Sequence, residues 1–184
     1  MPTPPLLLHF EEDQMNAQRI AQAAGLASQP IQRHRFPDGE VKLRLPADLP
    51  QRVAVLRCLD HPNDKLIELL LAARTARMLG ATHWTLLAPY LAYMRQDIAF
   101  TPGEAVSQRI IGGFLAGLFD AVITVDPHLH RVATLQEVVP VPHAIATPGT
   151  CFPQELTPRH LYHPLLAPPA GEWSHSTPPR ARRP

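Results

Sequence analysis

From residue 6 to residue 125 the chain alternates between short apolar runs of strand length and longer stretches with apolar residues at helical spacing. That alternation constrains the fold more than any other feature. Strand, helix and strand in succession bury both kinds of apolar face as a right-handed crossover onto a parallel sheet. Residues 6–10 read as a short buried strand, and residues 13–24 place Met15, Ile20, Ala23 and Ala24 near helical spacing. Residues 31–36 and 41–45 read as two strands around the turn Pro37-Asp38-Gly39-Glu40. A buried strand at 52–58 precedes the clearest helix, 62–79, which stops at Gly80. A strand at 83–88, a second long helix at 105–119 and a strand at 121–125 complete an expected α/β domain with a three-layer parallel sheet.

The pattern is lost after about Pro140. Eleven of the 22 prolines fall between Pro140 and Pro184, and proline at that density removes backbone donors and blocks helices. The expectation is a domain over 1–148 followed by an irregular, disordered tail rich in Pro, Arg and His over 149–184. The 17 basic and 16 acidic residues are interspersed and leave a net charge of +1, which argues against nucleic acid as a partner. No apolar run approaches the roughly 20 residues that span a bilayer, and Met-Pro-Thr-Pro-Pro is no secretory leader. Cys58 and Cys151 lack metal-type spacing. A cytoplasmic protein with no membrane role is expected.

Three polar clusters stand at the ends of apolar runs, where an open α/β sheet gathers its ligand loops. Arg95-Gln96-Asp97 offers a guanidinium fork, an amide and a carboxylate from one loop, and a planar fork suits two phosphate oxygens; alone it reads as a surface loop with a local Arg/Asp pair. Asp126-Pro127-His128-Leu129-His130 follows a buried strand, and an imidazole beside a carboxylate can ligate a divalent metal or contact phosphate. Either histidine is equally at home in a structural role, His130 especially. Phe36-Pro37-Asp38-Gly39-Glu40 presents a phenyl face on which adenine can stack, with two acceptors for its amine; alone it is an ordinary hairpin turn.

Together Phe36-Pro37-Asp38-Gly39-Glu40, Pro89-Tyr90-Leu91-Ala92-Tyr93-Met94-Arg95-Gln96-Asp97, Gly103-Glu104-Ala105-Val106-Ser107 and Thr124-Val125-Asp126-Pro127-His128 resemble ribose-phosphate pyrophosphokinase, in order and spacing, from Leu6 to about Pro148. The resemblance implies a phosphoribosyltransferase-like fold. It also implies transfer of the β,γ-diphosphoryl group of ATP to the C1 hydroxyl of ribose 5-phosphate, with Mg²⁺, giving PRPP and AMP. By the same resemblance Phe36, Asp38, Gly39 and Glu40 contact the adenine of ATP held mainly by a neighbouring copy in a homo-oligomer. Arg95 and Gln96 hold the nucleotide and its phosphates, Asp97 supports their loop, and His128 binds the metal-nucleotide.

Where some members of that family carry basic residues after Arg-Gln-Asp, Ile98, Ala99 and Phe100 stand here. The family's catalytic Lys and Arg loop and its Asp-Asp-x-x-x-Thr-Gly sugar-phosphate loop have no counterpart after Pro148, and Lys42 and Lys65 lie far upstream. The expectation is therefore an amino-terminal half, truncated or frameshifted after about residue 148 and inactive alone. Three alternatives stay open: a non-catalytic regulatory subunit of a synthetase oligomer, a metal-free interaction protein built on the same sheet, and an amidohydrolase fragment using His128 and His130, a class that needs a barrel of about 200 residues or more.

Overall fold

A computed structural model of the chain describes residues 4–129 and 131–146. A six-stranded sheet, all of whose pairings are parallel, runs in the order β2-β1-β5-β6-β7-β8. Its strands are β1 (Leu6–His9), β2 (Ala27–Pro30), β5 (Arg52–Leu56), β6 (His83–Ala88), β7 (Ala121–Val125) and β8 (His143–Ala146). A separate antiparallel pair, β3 (Gln32–Arg35) and β4 (Val41–Arg44), forms a hairpin. Three helices pack on the sheet: α1 (Gln14–Ala24), α2 (Pro62–Met78) and α3 (Ser107–Ala116).

Strand periodicity divides the core into two faces. Leu6, Leu8, Val53, Val55, Trp84, Leu86 and Val122 join Leu66, Leu69 and Ala73 of α2 and Leu115 of α3 in the larger cluster. Leu7, Ala54, Leu56, Leu87 and Ile123 meet Ala17, Ile20 and Ala21 of α1 on the opposite face. The three layers follow from crossover handedness. The chain leaves β1 in one direction through α1, and leaves β5 and β6 in the other through α2 and α3, so right-handed connections put α1 alone on its side.

The strand order reverses between β1 and β5, and the crevice at their carboxyl ends is filled by the protein's own charges. Arg57, 1% exposed, donates Nη1 to Glu12 at 3.2 Å and to Asp13 at 3.1 Å, and donates Nη2 to Glu68. Its guanidinium also lies 4.3 Å from the centroid of the Phe10 ring. Arg33 of the hairpin reaches the same carboxylates, Glu12 at 2.6 Å and Glu68 at 2.8 Å, while Arg35 meets Asp64 at 3.1 Å. The hairpin is thus fastened through charge to the first turns of α2.

Three elements depart from the sequence reading. β2 is polar and largely exposed, so it carries no periodicity to betray it; backbone pairing to β1 makes it an edge strand. β8 lies inside the proline-rich region, because Pro140 and Pro142 precede the strand and leave His143–Ala146 free to pair with β7. The second long helix is shorter than 105–119: Val106 is non-helical at ψ 82°, and the helix ends at Gly117, whose N–H closes onto the carbonyls of Gly113 and Phe114. The 149–184 tail and His130 lie outside the described residues.

Candidate functional site

Beyond the carboxyl ends of β5 and β6 opens a cleft of about 550 Å³, lined by Leu59, Asp60, His61, Pro62 and Asn63 on one side and Tyr90, Ala92, Tyr93, Arg95 and Gln96 on the other. Backbone bonds from Arg57 N–H to the Leu87 carbonyl (2.9 Å) and from Leu59 N–H to the Tyr90 carbonyl (3.1 Å) join the two loops beneath it. The described chain has three non-glycine residues at positive φ: His61 (49°), Tyr93 (61°) and Asp126 (40°), one just past each of β5, β6 and β7. Such conformations cost about 1–3 kcal/mol each and gather at ligand sites.

The loop at 93–97 is tethered at every residue except one. The Tyr93 hydroxyl donates to Asn63 Oδ1. Met94 is buried, and its carbonyl accepts Gln108 Nε2 at 3.1 Å. The Gln96 carbonyl accepts the Gln108 N–H at 3.1 Å, and Gln96 Nε2 donates to the Ile98 carbonyl at 2.9 Å. Asp97, 6% exposed, accepts Arg131 Nη1 at 2.8 Å. Arg95 alone is exposed and has no hydrogen-bond or ion-pair partner among the described residues. A stiff loop therefore presents one uncommitted guanidinium at the cleft, the donor geometry that suits a phosphate or carboxylate.

The sequence-predicted residues are only partly brought together. Arg95 and Gln96 line the cleft, whereas Asp97 faces the other side of the loop, into a polar hollow of about 90 Å³ shared with Gln108, Arg109, Arg131 and Glu137. In that hollow Gln108 Oε1 is buried with no partner among the described residues. The downstream part of the loop is closed by Glu104, which accepts the Thr101 hydroxyl (2.6 Å) and the Phe100 N–H (2.7 Å); these bonds hold its carboxyl below the usual range.

Phe36, Asp38, Gly39 and Glu40 form the exposed tip of the β3–β4 hairpin and do not line the cleft. The tip is closed by Phe36 N–H to the Glu40 carbonyl (2.8 Å) and by Glu40 N–H to Asp38 Oδ1 (3.1 Å). Gly39 at φ 95° takes a backbone conformation that a side chain would strain. His34 packs edge-on against the Phe36 ring, with centroids 4.7 Å apart, leaving one residue of aromatic surface at the tip.

His128 is exposed on the loop after β7, two residues beyond the left-handed Asp126. Among the described residues no group of three His, Cys, Asp or Glu is placed to hold a metal ion, so they do not form a self-sufficient Mg²⁺ cage. Among the described residues the main sheet is open, ending in β2 and β8. No helix among the described residues is long and apolar enough to cross a membrane. Sequence reasoning missed His61 and Asn63: Pro62 marks a helix start, but nothing in the pattern says that this start forms a cleft wall.

A sequence model of the N-terminal domain of ribose phosphate pyrophosphokinase matches residues 6–118. The chain belongs to the ribose-phosphate pyrophosphokinase family. It is 36% identical over 132 residues to the ribose-phosphate pyrophosphokinase of Methanopyrus kandleri, an alignment covering 71% of this chain and 45% of that protein. With the Halobacterium salinarum enzyme of the same name it shares 32% identity over 164 residues, 89% of this chain and 57% of the relative. That alignment necessarily continues past Pro148. The chain spans about half the length of these relatives. A crystal structure of phosphoribosylpyrophosphate synthetase from Mycobacterium smegmatis superposes with a TM-score of 0.69 at 22% identity, covering 79% of this chain and 49% of that one, which fixes the fold as the family's. The relatives named as pyrophosphokinases belong to a transferase family.

Proposed function

We propose that this chain provides the ATP-holding half of a ribose-phosphate pyrophosphokinase, in which the β,γ-diphosphoryl group of ATP passes to the C1 hydroxyl of ribose 5-phosphate and AMP departs. The observation that carries the reading is the single uncommitted guanidinium of Arg95, held over the β5–β6 cleft by a loop tethered on both sides of it. Transfer of this kind depends chiefly on positioning and on neutralising phosphate charge. Arg95 meets the phosphates, Gln96 keeps its Oε1 available for the nucleotide, and Asp97 with Arg131 keeps the loop in place. His128, with Asp126 nearby in sequence, would hold the metal-nucleotide, and its Mg²⁺ would supply further charge neutralisation.

The exposed tip from Phe36 to Glu40 suits an adenine carried on a neighbouring copy, so a homo-oligomer is part of the reading. Cytoplasmic nucleotide biosynthesis is its setting. These 184 residues contain no Asp-Asp-x-x-x-Thr-Gly run and no lysine beyond Lys65. Nucleotide binding, and not turnover, is therefore the activity proposed for the chain by itself. The test is a calorimetric titration with Mg·ATP beside an assay of AMP formation with and without ribose 5-phosphate. Saturable binding without AMP is expected. Absence of binding overturns the reading, and AMP formed only with the sugar phosphate overturns the restriction to binding.

A further inference from the structure

Tyr93 is the strained residue of the Arg95 loop, and a single side-chain bond holds it to the opposite wall of the cleft. Its backbone sits at φ 61°. Its ring packs against the main core, and its hydroxyl donates to Oδ1 of Asn63, the second residue of α2. Apart from the Gln96 Nε2 bond to the Ile98 carbonyl, which stays within the loop, the other tethers at Met94, Gln96 and Asp97 run to α3 or to the segment after β7. They leave the Tyr93 end free to relax out of the left-handed region if the hydroxyl loses its partner. That relaxation would turn the peptide two residues before Arg95 and swing the guanidinium off the cleft. The Asn63 end does not give: α2 is anchored one turn later by Glu68, which is buried against Arg57 and Arg33.

We propose that Tyr93 and Asn63 are positioning residues for nucleotide binding, their hydrogen bond across the cleft fixing the aim of Arg95. The proposal rests on the reading of the cleft as the ATP site. Neither residue need touch the nucleotide for this role. What the pair supplies is pre-organisation: a loop already in its binding geometry loses less entropy when the ligand arrives.

The test is a set of Mg·ATP titrations on the 184-residue chain and its variants Tyr93→Phe, Asn63→Ala and the double variant. Amide hydrogen exchange over residues 92–98 and thermal melting are measured alongside. Tyr93→Phe keeps the ring and its packing, so the chain stays folded and melting falls by no more than the loss of one hydrogen bond. Each single variant is expected to weaken ATP roughly fivefold, the scale of one hydrogen bond, and the double variant no further than the weaker single. Exchange at 92–98 should quicken in all three. Parent affinity in Tyr93→Phe overturns the proposal, as does a double variant whose loss is the product of the two singles, or weakened binding with unchanged exchange. Failure of the parent chain to bind ATP is a different result: it removes the site itself, and the inference with it.

Discussion

Arg57 and Glu68 form an ion pair in which both side chains are 1% exposed, and the same carboxylate accepts Arg33 Nη1 of the β3–β4 hairpin at 2.8 Å. One buried carboxylate thus joins the β5 loop, the first turns of α2 and the arm that carries Phe36 to Glu40. Removing one member of such a pair leaves an uncompensated buried charge, at a cost of about 3–5 kcal/mol. Glu68→Ala should lower stability at the low end of that range, since Glu12 and Asp13 still face Arg57. Glu12→Ala, at a site 48% exposed, should cost less than about 1 kcal/mol. Urea denaturation of the two variants beside the parent chain checks the order.

The same cluster sets the acid response. Burial of Glu12 opposes its charge, but hydrogen bonds from its own backbone N–H and from Arg33, with the attraction of Arg57 and Arg33, bring its pKa from 4.5 down to about 2. A depressed pKa means that folding favours the carboxylate: the contribution is complete above about pH 4.5 and is lost as the pH falls toward 2. Asp13 has the opposite sign, because burial outweighs Arg57 and raises its pKa, so its contribution is lost as the pH rises through the folded value. Glu12→Gln should therefore flatten the loss of stability between pH 4.5 and 2, read by denaturant midpoints across that window.

Arg95→Ala should weaken Mg·ATP binding by about 2 kcal/mol, the scale for losing charge-assisted hydrogen bonds. Its melting temperature should match the parent, because the side chain has no partner to lose among the described residues. Unchanged affinity in titration calorimetry removes Arg95 from the site.

Two adjacent glycines of α3 should respond in opposite directions to the same change. A Cβ at Gly112 would lie 2.1 Å from the Val138 carbonyl oxygen, a backbone atom that cannot swing aside, so Gly112→Ala should cost about 1–3 kcal/mol. A Cβ at Gly113 meets nothing within 4 Å, and Gly113→Ala in mid-helix should stabilise by about 0.5–1 kcal/mol. Thermal melts of the two variants suffice.

The elements legible in the sequence were those whose period is enforced by burial. Trp84, Leu86 and Ala88 face one cluster and Leu87 the other, so β6 was readable to the residue. β2 was not, since Ser28, Gln29 and Pro30 are there for backbone pairing at an edge. The site divided in the same way. Arg95 stood out through its setting among the other motifs, since Arg-Gln-Asp alone reads as a surface loop with a local Arg/Asp pair. The cleft's other wall, His61 to Asn63, is written in ordinary helix-start chemistry, and its partnership with Tyr93 exists only once β5 and β6 lie side by side. That Phe36 to Glu40 stand apart from Arg95 was equally a matter of three-dimensional placement.

The filled crevice between β1 and β5 has a consequence for where an anion can settle. An open parallel sheet ordinarily receives its ligand where the strand order turns back. In this chain that berth is occupied by Glu12, Asp13 and Glu68 against Arg57 and Arg33, so an arriving polyanion finds positive charge already neutralised there. At the neighbouring β5–β6 interval, Arg95 has no ion-pair partner among the described residues. The sheet thus carries two arginine-bearing intervals side by side, one spent on cohesion and one kept in reserve, and on the reading proposed above that difference in internal competition would steer an incoming anion to β5–β6.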